Sequence, residues 1–110
     1  MEKIFLRLRE IAFEMPDGVI IGIGQLLPIN KGWVVRIEGM TDFEGRKGML
    51  EAVNLASATT GTIAGAIDGN VELWDVVMIF DSEEQATKAG NDNGQMTIYQ
   101  IETATLKWLK

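Results

Sequence analysis

The side chains best equipped for chemistry gather between Glu38 and Gly48, where acids Glu38, Asp42 and Glu44 and bases Arg46 and Lys47 alternate with Gly39, Gly45 and Gly48. Glycines let a backbone approach a ligand closely, and the mixed charges could grip a small anion or supply a carboxylate acid or base. If a helix starts near Met49, the amides around Gly45 to Gly48 add the positive end of its dipole. The stretch departs from a phosphate-cradling loop, because Lys47 is followed by Gly48 and not by Ser or Thr. Its competing reading is a solvated connection whose charges neutralise one another. A carboxylate acts as acid or base near neutrality only when burial or a second acid shifts its pKa, which spacing alone does not establish.

What is missing narrows the chemistry further. The chain has no cysteine and no histidine, so disulfides, thiol chemistry, most zinc sites and most hydrolytic triads are excluded together. We assign no catalytic residue, no metal and no cofactor, and expect binding in place of catalysis. Gly22-Ile23-Gly24 fails as a dinucleotide fingerprint, since Leu27 stands where a third glycine belongs and Pro28 blocks the following helix. Two glycines on a strand leave room for close packing or mark a bulge. Asn91-Asp92-Asn93-Gly94 lacks the repeated oxygen ligands of a calcium loop and reads as an Asn-Gly turn.

The elements that must position these groups follow from periodicity. Ile4, Leu8, Ile11 and Met15 step by four, three and four, which predicts an amphipathic helix ended by Pro16-Asp17-Gly18; a strand with Ile4, Leu6 and Leu8 on one face competes with it. Val19 to Gly24 reads as a buried strand continuing towards Leu27, and Trp33 to Glu38 as a strand with a wetter face of Val34, Arg36 and Glu38. These two runs are expected to pair as an antiparallel hairpin across Pro28 to Gly32.

Met49, Val53, Ala56, Thr60, Ile63 and Ile67 predict a second helix running to Asp68, weakened at Ala58 to Thr62 by β-branched residues and Gly61. The alternative is a break there and a strand from Thr60 to Ile67 turning at Asp68-Gly69-Asn70. Val71 to Phe80 reads as a central strand, Ser82 with Gln85 as the cap of a short helix ended by Gly90 to Gly94, and Met96 to Ile101 as a further strand, with Leu106 to Leu109 a short last one. The expected fold is α+β, a single domain over 1–110, with a mostly antiparallel sheet of four to five strands and helices on one face, in the order α-β-β-α-β-α-β.

Two features point to interfaces. On a helix, Ser57, Gly61, Gly65 and Gly69 would form a groove almost free of side chains, open to close approach by another element or a second chain. Among the aromatic residues Trp33, Trp74, Tyr99 and Trp108, the last is hardest to bury without a partner or a docked tail. Gly61, Gly65, Tyr99 and Trp108 are therefore candidate interface residues.

Charge limits the partners. Sixteen acids against ten bases give a net charge of −6, which repels phosphate backbones and argues against nucleic-acid binding. Charges interrupt the first thirteen residues and no run is apolar enough to span a bilayer, so a cytoplasmic chain without a membrane partner is expected. The expected function is a non-catalytic protein-interaction module that self-associates, through a sheet edge or the glycine-faced helix, and presents an acidic surface to a protein partner. Two alternatives stand beside it: a small-anion binder or carboxylate-dependent enzyme using residues 38–48, and a small acidic inhibitor of a nucleic-acid enzyme from a phage or mobile element.

Overall fold

Phe5, Leu8, Ile11 and Ala12 share one stripe of helix α1 (Glu2–Glu14) and are buried, so the helical reading of the first segment holds in the computed structural model, which describes residues 2–109. The chain continues through β1 (Val19–Gly22), β2 (Leu27–Pro28), β3 (Trp33–Arg36), β4 (Phe43–Glu44), α2 (Gly45–Ala58), β5 (Thr62–Asp68), β6 (Val71–Phe80), α3 (Glu83–Asp92), β7 (Thr97–Gln100) and β8 (Thr105–Trp108). The α+β class is as expected, with every strand pair antiparallel. The sheet is larger than expected, with eight strands among the described residues in place of four to five.

Two expectations are corrected. The second helix stops at Ala58 and does not run to Asp68. Gly61, at φ +74, takes the chain out of the helix, and its N–H donates to the Ala56 carbonyl at 2.7 Å. Residues 62–68 are strand, so Ser57, Gly61, Gly65 and Gly69 never share a helical face. The other correction concerns pairing. Strands β1 and β3 do not form a hairpin: β1 lies between β2 and β5, which occupy both its edges, while β3 lies between β6 and β7. No helix packs on Gly22: a methyl there would meet Gln25 Oε1 at 3.3 Å and Ile29 Cδ1 only at an ordinary 3.7 Å.

Strand β6 organises the sheet. One edge pairs residues 71–76 with β5; along the other edge β4 meets Leu73 and Trp74, and β3 meets residues 77–80. Between β3 and β4 the chain makes an excursion over residues 37–42, pinned where Val76 N–H donates to the Met40 carbonyl at 2.9 Å. Alternate β6 side chains then enter different clusters. Trp74 and Val76 pack with α1, α2, Ile21 and Ile63, and Met78 and Phe80 pack with Ala86 of α3, Val35 and Ile98. Helices α1, α2 and α3 therefore lie on one face of the sheet. A third cluster, Ile20, Val34 and Val77 with Ile29, Ala64, Ile79, Tyr99 and Ile101, contains no helical residue and marks the opposite face.

Candidate functional site

On that helix-free face the sheet forms a groove of about 540 Å³. Its walls are apolar: Ile20 of β1, Ala64 and Ala66 of β5, Leu73 of β6, Ile29, and Tyr99 with Ile101 at the β7 end. The turn from Met15 to Gly18 closes one end, tied down where Ile67 N–H donates to the Pro16 carbonyl at 2.9 Å. A cavity this size falls within the about 300–1,000 Å³ typical of ligand sites, where apolar walls carry a few placed polar groups.

Those polar groups are Asp17, Arg36, Asp42 and Asp75. Arg36 Nε lies 3.3 Å from Asp75 Oδ2, and Arg36 Nη2 lies 3.4 Å from Asp42 Oδ1. The other Asp75 oxygen accepts the Asp42 backbone N–H at 2.7 Å. The arrangement follows from local sequence. Arg36 faces Val77 across the β3–β6 ladder, which puts Asp75 at the diagonal position within reach of a long side chain. Gly39 at φ +82 turns the excursion, and Asp42 sits in the left-handed region at φ +62, which an aspartate tolerates better than most residues. Asp75 thus holds both the guanidinium and the loop that delivers Asp42.

Both oxygens of Asp75 are engaged and its side chain is only 20% exposed, whereas Asp42 is 73% exposed and open to a ligand. With exposed Asp17, three carboxylates and one guanidinium line the groove, an excess of negative charge. The Arg36 guanidinium contacts both the Asp42 and the Asp75 carboxylates. Among the described residues no three carboxylates group closely enough to hold a metal ion.

Of the loop residues singled out by sequence, the structure brings only Asp42 into the groove. Arg46 is ion-paired with Glu2 and lies over the Phe5 ring, 4.8 Å from its centroid, on the helix-covered side. Lys47 is exposed on α2, and Glu44 occupies the α2 N-cap position without a side-chain cap. Exposed Glu38 points towards Gly94. Of the interface candidates, Tyr99 lines the groove, Trp108 is 65% exposed on β8, Gly65 lies under Trp74 and Gly61 is in the turn after α2. Sequence reasoning missed Arg36, Asp75 and Asp17. The signal available for the first two was the lone charge of β3, Arg36, opposite in sign to the acids Glu72 and Asp75 of β6. Compared with known protein families, with curated proteins and with solved structures, the chain finds no match.

Proposed function

We propose that this domain is a non-catalytic protein-interaction module whose helix-free groove holds a partner segment carrying a basic side chain between apolar ones. The observation that carries the reading is the combination of apolar walls with an excess of carboxylates over the single guanidinium. A basic head group would reach Asp42 and Asp17, while its apolar neighbours cover Ile20, Ile29 and Ile101. Tyr99 lines the same groove, and a guanidinium over its ring would gain about 0.5–2 kcal/mol. The negative groove disfavours phosphates. The reading in which residues 38–48 bind an anion is less well supported, because Arg46 is already engaged by Glu2 and Phe5.

Two synthetic peptides with the same apolar residues, one with a central arginine and one with glutamate, test the reading by calorimetry. The arginine peptide is expected to bind, more weakly as salt rises, and Asp17→Asn and Asp42→Asn are each expected to weaken it by up to about fivefold, the range of an exposed ion pair. Equal binding of the two peptides, or indifference to both substitutions, removes it.

A further inference from the structure

The two edges of the sheet differ. The β2 edge is two residues long and contains Pro28, which has no N–H to donate. The β8 edge is four residues long, has no proline, and among the described residues pairs only with β7. Leu106 stands opposite Tyr99, and Trp108 opposite Thr97, which places both on the helix-free face. They are 57% and 65% exposed. An edge without proline, whose one charged residue, Lys107, is engaged by Glu83 and whose apolar side chains are uncovered, is a template for another strand.

We infer that the strand it accepts is β8 of a second copy, antiparallel about a two-fold axis through Lys107. Such an axis, normal to the sheet, keeps each face on its own side, so opposed residues must both face the helices or both face away. Centring on Lys107 sets Leu106 of one copy against Trp108 of the other, and this apolar pair forms twice. Centring on Leu106 would oppose Trp108 to Ala104, whose φ of +52 is not extended, so the ladder would fail there. The lysines that then face each other are compensated within each copy, since Lys107 Nζ lies 3.5 Å from Glu83 Oε2 and donates to Thr87 Oγ1 at 3.4 Å.

The groove acids do not oppose this pairing. From β3 of one copy to β3 of the other the joined sheet runs through five strand spacings, about 24 Å at about 4.8 Å each. That is several times the Debye length of about 8 Å at physiological salt. One four-residue strand edge with two apolar pairs is a small contact, so the dimer is expected to be weak and seen only at high concentration. It would join the two sheets edge to edge and put both grooves on one surface, a geometry suited to a bivalent partner.

The absence of cysteine makes the test direct. Under mild oxidation, Lys107→Cys is expected to form a covalent dimer about tenfold faster than Ser57→Cys, an exposed position on α2, because equivalent residues at the axis lie within disulfide reach. Sedimentation equilibrium should show wild type associating at high concentration. Leu106→Lys should raise the dissociation constant about tenfold or more with unchanged circular dichroism, its side chain being exposed in the single copy. A wild-type monomer at several hundred micromolar, equal crosslinking rates at 107 and 57, or undiminished association of Leu106→Lys would each overturn the inference.

Discussion

Gly65 and Trp74 show how a single missing side chain shapes this molecule. The two residues face each other across the β5–β6 ladder, and a methyl at Gly65 would sit 2.5 Å from Cζ3 and 2.8 Å from Cε3 of the indole. Trp74 has no exposed surface and is walled in by α1 and α2, so its ring has nowhere to retreat. In β5, glycine is a packing requirement; its φ is not in the left-handed region, and backbone strain is not the issue. Gly65→Ala is expected to cost about 1–3 kcal/mol, the usual range for overpacking a filled core. It should lower the urea midpoint without altering the dependence on denaturant, and an unchanged midpoint would mean that the Trp74 pocket is loose.

At the scale of elements, the turns flanking the groove are tied together by charge. Glu102, just after β7, accepts the Gly32 N–H at 2.9 Å, while Ile101 N–H donates to the Gly32 carbonyl at 3.0 Å. The Gly32 hydrogen bond above all, with the Glu102 backbone N–H and nearby Lys31, holds the Glu102 carboxyl below its ordinary value of 4.5. A depressed carboxyl stabilises the fold fully above its unfolded pKa and loses that contribution as pH falls through the folded value. Glu102→Gln keeps an acceptor and cannot titrate. Wild type is therefore expected to lose stability relative to Glu102→Gln only below about pH 4.5, measured by urea midpoints at neutral pH and near pH 3; a constant difference between the two proteins would contradict the assignment.

Several elements were legible without coordinates for physical reasons. The α1 stripe extends over three turns, and Ser82 does accept the Gln85 N–H, at 3.3 Å. The second helix was overextended because Ile63 and Ile67 are four residues apart, a spacing that shares a face in a helix and in a strand alike; both do face the α1–α2 core. The β1–β3 hairpin failed because residues 23–26 fold back to pair β2 with β1 and use up its outer edge. Of the site, Asp42 and Tyr99 stood out by type. Arg36 and Asp75 needed the register of β3 on β6, which no local pattern supplies.

For the whole molecule the consequence of that register is cooperativity. Val76 belongs to the cluster under α1 and α2, Val77 to the helix-free cluster and Met78 to the cluster under α3, so three consecutive residues of one strand bind the domain together. Neither half of the sheet can lose β6 without exposing buried residues of the other, and the expectation is a single two-state transition. Trp33 packs against the α3 cluster and Trp74 lies in the α1–α2 cluster, which gives each half its own reporter. In a Trp108→Phe background, Trp33→Phe leaves only Trp74 emitting and Trp74→Phe leaves only Trp33. Each variant is destabilised by its own substitution, so the comparison is internal: in each, the urea transition by fluorescence should coincide with that by far-ultraviolet circular dichroism. If Trp33 emission changed at lower urea than the dichroism of the same variant, the α3 half would be unfolding first and β6 would not be the coupling strand.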